Sequence, residues 1–231
     1  MTRCIWCGQQ ITSKLTISDL FTFKKLKAQS ACASCYSKLE KISGNPSCPF
    51  CSRVQETTEV CQDCQKWIKA SKIESLNHKA LYTYNAFAKE WMERYKFTGD
   101  IRVARMISED LIKAIGSMSA IDMIVPIPIS KRSFQIRGFN QTEIMLKTAR
   151  IPYTNLLENT TTEKNQSKKT RQERLQSIQP FCMADHNKES IKGKNVLVID
   201  DVYTTGRTMI YAMEYLLSEG AKDVQSLSVF R

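Results

Sequence analysis

Eight of the nine cysteines in this 231-residue chain fall within its first 64 residues, as four pairs: Cys4/Cys7, Cys32/Cys35, Cys48/Cys51 and Cys61/Cys64. Each pair is separated by two residues, a gap that turns both thiolates toward one tetrahedral ion. Structural disulfides are disfavoured in a reducing cytosol. A redox role for a single pair fits poorly with four repeats that have no βαβ pattern around them. The intervening sequence is poor in apolar residues and is interrupted by Gly8, Gly44, Pro46 and Pro49. Such a segment cannot bury enough surface alone, so metal binding must supply its folding free energy. Residues 1–70 are therefore expected to form a small domain holding two structural zinc ions. Spacing alone permits sequential pairing of the cysteine pairs and interleaved pairing alike. Trp6, Phe50 and Trp67 lie beside the pairs; they are expected to cover the metal sites as a mini-core, stacking on nucleic-acid bases being the other reading.

The formal charge is +11. Eight thiolates around two Zn²⁺ would bring this to about +7, with most of the excess in the second part of the chain. A basic excess favours a polyanionic partner, although a soluble basic protein carries the same signature. No run of 18 apolar residues is present, so no membrane span is expected. The first residues lack the apolar core of a signal peptide, and a cytoplasmic location follows as the expectation.

Past a connector at 69–76 the pattern becomes α/β, and residues 77–231 read as a second domain. Tyr82 and Tyr84 alternate as in a strand. Phe87, Ala88, Trp91, Met92 and Tyr95 have helical spacing, and a second helix is predicted over 101–115. A buried strand over 121–128 ends in a proline-stiffened loop; further expected elements are a helix over 138–149, a strand over 194–199, a helix over 208–218 and a strand over 224–229. Alternating strands and helices predict a mainly parallel sheet with flanking helices, whose ligands sit beyond the carboxyl ends of the strands. His78 and His186 have no acid-base constellation around them and are expected at the surface.

At one such end stands Val196-Leu-Val-Ile-Asp-Asp-Val-Tyr-Thr-Thr-Gly-Arg-Thr208. A buried strand delivers Asp200 and Asp201, and a glycine-containing, threonine-rich turn opens a helix. Free N–H groups at that helix start favour a phosphate, and Gly206 permits close backbone approach. The hydroxyls of Thr204, Thr205 and Thr208 can donate to phosphate oxygens. Carboxylates alongside suit vicinal sugar hydroxyls, or Mg²⁺ through water. A sugar phosphate meets both requirements. No Gly-Lys-Ser/Thr follows, so this is not a Walker A loop. Only 30 residues follow Asp201, which argues against a receiver domain, where the acid pair closes the first strand.

This stretch resembles the 5-phosphoribosyl-1-pyrophosphate (PRPP) motif of type I phosphoribosyltransferases. Together with residues 80–100, residues 124–143 and the four cysteine pairs, it is similar to the ComF family of late competence proteins over nearly the whole chain. The resemblance implies a type I phosphoribosyltransferase-like α/β fold preceded by a double zinc ribbon. It also implies that Asp200 and Asp201 contact the ribose hydroxyls of PRPP, that Thr204, Thr205, Gly206, Arg207 and Thr208 cradle its 5′-phosphate, and that Mg²⁺ accompanies it. Lys131 and Arg132, after Pro128, are candidates for the pyrophosphate, the other reading being a solvated pair. No catalytic residue or acceptor pocket is legible. An enzyme of this kind would displace pyrophosphate from ribose C1 through an oxocarbenium-like transition state, by positioning and charge neutralisation. The resemblance further implies a role in DNA uptake and single-stranded DNA handling during natural transformation. The helicase ComFA and the recombination mediator DprA would be partners, and the protein could sit at the inner face of the membrane through them. Lys164, Lys168, Lys169, Arg171 and Arg174 crowd a segment corresponding to the phosphoribosyltransferase hood. They could close on diphosphate, track a nucleic-acid backbone, or simply be solvated.

Overall fold

The computed structural model describes residues 2–11, 29–71, 77–118, 120–160, 179–184 and 191–231. In the cysteine-rich part, β1 (Thr2–Arg3) and β2 (Gln10–Ile11) pair antiparallel beside Cys4 and Cys7. Helix α1 (Ala33–Tyr36) is N-capped by Cys32 and contains Cys35; α2 (Gln62–Ala70) is N-capped by Cys61 and contains Cys64. A helix start thus sets the second pair of each quartet, because positions three apart share a helix face. Residues 72–76 of the connector expected at 69–76 lie outside the described residues.

The rest is built on one four-stranded parallel sheet. In chain order, β3 (His78–Tyr82) leads to α3 (Ala86–Lys96), a 3₁₀ turn (Ile101–Met106) and α4 (Ser108–Gly116). After β4 (Met123–Pro126) come α5 (Lys131–Arg137), α6 (Gln141–Ala149) and an antiparallel pair, β5 (Leu157–Asn159) and β6 (Phe181–Met183). Strand β7 (Asn195–Val202), α7 (Arg207–Ser218) and β8 (Asp223–Phe230) complete it. The sheet order is β3-β8-β7-β4. Pro126 lies opposite Ile199, and Asp200 opposite Ser228.

β7 is paired on both edges and covered on both faces. Leu197 and Ile199 join one core with Trp91, Tyr95, Leu111 and Leu146, from α3, α4 and α6. Val196 and Val198 join the other with Ile210, Met213 and Leu216 of α7. The cysteine quartets divide the same way: Cys4 and Cys35 pack with the first core, and Cys48, Cys51, Cys61 and Cys64 with the second.

The structure departs from the sequence expectations at identifiable points. The helix expected over 101–115 breaks at Ile107 into a 3₁₀ turn and α4. The helix expected over 138–149 starts at Gln141, and an unexpected helix precedes it: Gly138 ends α5 at φ 77°, and the Asn140 side chain caps α6 by accepting from Thr142 N at 3.0 Å. His78 is buried, with its ring nitrogens 3.0 Å from Ser226 Oγ and Ser228 Oγ, contrary to the surface position expected. Its partners come from β8, almost 150 residues away, so its neighbourhood carried no local cue. Burial, and then the Arg231 charge, push the imidazole down to about 3, so it stays neutral.

Buried Asp110 on α4 fastens the first cysteine quartet's segment to the sheet domain. Its carboxylate accepts from the Tyr36 and Tyr82 hydroxyls and lies 3.0 Å from Lys41 Nζ. Burial alone would raise its pKa, but these three donors outweigh burial and hold it below the ordinary value. Replacing Asp110 with Ala leaves the buried Tyr82 hydroxyl unpaired, and should cost about 2–4 kcal/mol in urea unfolding.

Candidate sugar-phosphate site and metal centres

The cysteines form two quartets, Cys4/Cys7/Cys32/Cys35 and Cys48/Cys51/Cys61/Cys64, each with ligand atoms within 4.8 Å of one another. Of the two pairings left open by spacing, the structure adopts the sequential one. Four thiolates at a Zn–S distance of about 2.3 Å define a tetrahedron with edges of about 3.8 Å. Cys7 Sγ lies 3.8 Å from Cys32 Sγ, and Cys51 Sγ 3.7 Å from Cys61 Sγ. A disulfide would need about 2.05 Å. The quartets therefore have the donor set and spacing of a tetrahedral metal site. Cys61 N–H donates to Cys48 Sγ at 3.4 Å, and Arg231 Nη2 to Cys51 Sγ at 3.4 Å, the surroundings a thiolate ligand needs.

Trp6, Phe50 and Trp67 pack against the two cores, as the mini-core reading expected. Trp6 lies 4.6 Å from Phe87, with the Arg94 guanidinium 5.0 Å over its ring. Arg94 also donates to Ile5 O and Trp6 O, tying the first quartet's loop to α3. Trp67 spends its indole N–H on Thr205 O at 2.8 Å.

The loop after β7 is held from below and from one flank. Tyr203 is buried, its ring 4.3 Å from that of His78 and 4.9 Å from the Arg231 guanidinium. Gly206, at φ 83°, passes directly over it: an added Cβ would lie 2.2 Å from Tyr203 Oη. Only glycine satisfies both the dihedral and the clearance. On the flank, Arg231 Nη1 donates to Thr204 O at 3.0 Å and Trp67 to Thr205 O. In a trans peptide the N–H opposes the C=O, so fixing these carbonyls aims the N–H groups of Thr205 and Gly206 the other way. The backbone N–H groups from Thr204 to Met209 meet no acceptor among the described residues, and the first turn of α7 contains no acid. Thr204, Thr205, Arg207 and Thr208 are exposed. The arrangement is a set of open donors at the positive end of a three-turn helix, suited to a phosphate.

The pleat of β7 separates the two acids. Asp201 follows Leu197 and Ile199 onto the α3 face, is buried, and lies 2.9 Å from Lys96 Nζ in an ion pair too misaligned for a hydrogen bond. Asp200, opposite Ser228, follows Val196 and Val198 onto the face that carries α7 and its loop. Its Oδ1 accepts from Asp201 N at 2.8 Å. Burial, then the neighbouring Asp201 charge, raise the Asp200 carboxyl to about 8. One acid is thus neutralised by a lysine, and the other by a proton near neutrality.

Lys131 and Arg132 are exposed on the first turn of α5, at the same carboxyl edge. The loop before them is pinned by Asn140 Nδ2 on Ile127 O and Asn159 Nδ2 on Pro128 O. Arg137 instead bonds Gln141 Oε1 and stacks 5.7 Å over Phe97. Lys164, Lys168, Lys169, Arg171 and Arg174 lie outside the described residues, as does His186. Sequence reasoning did not single out Lys96, Tyr203 or Arg231. Only Tyr203 stood inside a recognised motif; Lys96 and Arg231 reach the site from distant elements.

These features define a phosphoribosyltransferase-type α/β domain joined to two cysteine ribbons. The phosphoribosyl transferase domain family matches residues 122–231. The chain is 35% identical to competence protein ComFC of Streptococcus pneumoniae, over 99% of this chain and 100% of that one. It is 36% identical to ComFC of Bacillus subtilis, over 99% and 94%. A solved adenine phosphoribosyltransferase from Leishmania donovani aligns over 69% of this chain and 85% of its own, at 15% identity and a TM-score of 0.37. With full-length relatives at this identity, the chain belongs to the ComFC family. No described helix is long and apolar enough to cross a membrane.

The raised Asp200 pKa has a signed consequence for stability. Between the ordinary carboxylate value and about 8 the folded protein holds a proton that the unfolded chain has released. This contribution to stability is complete at acidic pH and is lost as pH rises through about 8. Asp200→Asn keeps the acceptor oxygen without the charge. In magnesium- and PRPP-free buffer its stability relative to wild type should rise by about 1–3 kcal/mol between about pH 5 and pH 9, read from thermal melts.

Proposed function

We propose that this protein is a competence factor that assists DNA uptake and single-stranded DNA handling in natural transformation, and that its α/β domain binds PRPP with Mg²⁺. The observation that carries this reading is the loop around Gly206. A cradle of unpartnered N–H groups stands at the carboxyl end of the strand that supplies Asp200 and Asp201, in a chain related along its full length to ComFC proteins. In this reading Thr204, Thr205, Gly206, Arg207 and Thr208 hold the 5′-phosphate. Asp200, once deprotonated, accepts a ribose hydroxyl, and Asp201 joins it by leaving its ion pair with Lys96 on the other face of the strand. Lys131 and Arg132 face the diphosphate. Mg²⁺, when bound, neutralises diphosphate charge. The two quartets hold structural zinc, and residues 1–70 and 77–231 are read as the two folding units. Single-stranded DNA, ComFA and DprA are the proposed partners, and the location is cytoplasmic, at the inner face of the membrane where those partners work. An active transferase with an unidentified acceptor would use the same cradle, and pyrophosphate release separates it from a binding role.

Calorimetric titration of Mg-PRPP into protein carrying two zinc ions per chain by metal analysis tests the site. Saturable binding is expected, weakened at least tenfold by Asp200→Asn with Asp201→Asn and by removal of magnesium. Absence of binding to the wild type, or equal binding by the double variant, would remove the PRPP reading.

A further inference from the structure

A second surface, sharing no residue with the sugar-phosphate site, has a composition that neither the fold nor that site explains. A groove of about 1040 Å³ runs between the segment after Cys32, the 3₁₀ turn with α4, and the end of α6. Five cations line it, Lys41, Arg102, Arg105, Lys113 and Arg150, against one acid, Glu109. Two have structural duties. Lys41 pairs with Asp110, and Arg102 pairs with Asp100 at 2.7 Å. Arg105, Lys113 and Arg150 are exposed and meet no carboxylate among the described residues. Like charges brought together without counter-ions oppose folding modestly, so the fold itself gains nothing from this clustering.

We infer that this groove is a track for the phosphodiester backbone of a single nucleic-acid strand. Residues three apart in a 3₁₀ turn stand in line, so the turn projects Arg102 and Arg105 in the same direction. Three of the five cations are guanidinia, whose planar fork matches phosphate oxygens and sheds water more readily than an ammonium. The half-buried Tyr36 ring and the exposed Ile101 side chain supply apolar surface between the charges, as a strand with unstacked bases requires. The concavity also selects. A flexible single strand can follow the groove and reach cations on its several walls, which a stiff duplex does less readily. An acidic peptide would satisfy the charges but would leave the apolar surface unused.

This inference rests on the proposed role in single-stranded DNA handling and assigns it a surface. The test uses full-length zinc-loaded protein and a fluorescein-labelled oligothymidylate, with anisotropy read across about 50–200 mM salt. The triple variant Arg105→Gln/Lys113→Gln/Arg150→Gln removes exposed side chains that make no ion pair, and its thermal melt should match that of the wild type. Each phosphate that the variant no longer neutralises lowers the slope of log K against log salt by about 0.7, so up to about two units of slope should disappear. Mg-PRPP affinity should be unchanged, since no substituted residue belongs to that site. Wild-type binding with the same slope in the triple variant would overturn the groove while leaving DNA handling intact. No wild-type binding at the lowest salt would instead remove the DNA reading itself. A matching loss of affinity for duplex DNA, or for polyglutamate, would overturn the single-strand assignment.

Discussion

The described residues are arranged around β7, an inner strand of the sheet that is bonded on both edges, buried on both faces and continuous with the loop around Gly206. A strand presents successive side chains to opposite sides, and here each side has its own core, its own helices and its own cysteine quartet. The same alternation governs its two acids. Asp201 is delivered to the α3 layer, where Lys96 meets it, and half-buried Asp200 to the α7 layer, where desolvation and the Asp201 charge favour its protonated form. Two adjacent carboxylates would repel if both faced one cavity. Dividing them between faces, with a lysine for one and a proton for the other, leaves the free protein with little uncompensated negative charge beneath a loop of open N–H groups. An anion approaching that loop therefore meets donors before it meets charge of its own sign.

The cysteine ribbons do more than occupy the start of the chain. Six of their eight cysteines lie within the buried cores of the sheet domain, and their aromatic residues are spent on contacts with it. Arg94 reaches from α3 to the carbonyls of Ile5 and Trp6, and Asp110 reaches from α4 to Tyr36 and Lys41. On the opposite face Trp67 and Arg231 reach the carbonyls of Thr205 and Thr204. Each ribbon is too poor in apolar side chains to stand alone, and each fills that deficit against one face of the same sheet.

Much of this was legible in the sequence because it is written locally. The cysteine spacing, the apolar run before Asp200 and the glycine after two threonines each encode a structure within a few residues. The parallel sheet followed from the alternation of strand and helix patterns. What could not be read depends on contacts across long separations. His78 looks like an isolated polar residue until β3 is laid beside β8 and its two serines. Lys96 continues an amphipathic helix with no sign that its ammonium turns inward, and Arg231 is one of 34 basic residues until it is placed between Cys51 and Thr204. The break at Ile107 was missed because a helical period continues across it, and α5 was missed because Gly138 was read as the start of a helix when it is the stop of one. The separation of the acids was available in principle, since period-two alternation requires it once β7 extends to Val202.

The magnitudes decide how the ribbon and the loop can influence each other. A structural zinc in such a site contributes about 10–16 kcal/mol to folding, comparable with the whole stability of a domain, about 5–15 kcal/mol. The bracing contacts are far weaker: a neutral hydrogen bond is worth about 1 kcal/mol net, and one from a guanidinium about 1.5–3. A loop held by weak contacts to a firmly held base can shift onto a phosphate without disturbing the base. Coupling between two sites is reciprocal, so neither can alter the other by more than the contacts that join them. With zinc in the second quartet and a phosphate at the loop, as proposed, Trp67 and Arg231 would let the metal change affinity at the loop by about ten- to a few hundred-fold. A phosphate bound there would return the same few kcal/mol to a metal site held several times more tightly. Influence thus runs in both directions with equal free energy, but it is the loop whose occupancy changes.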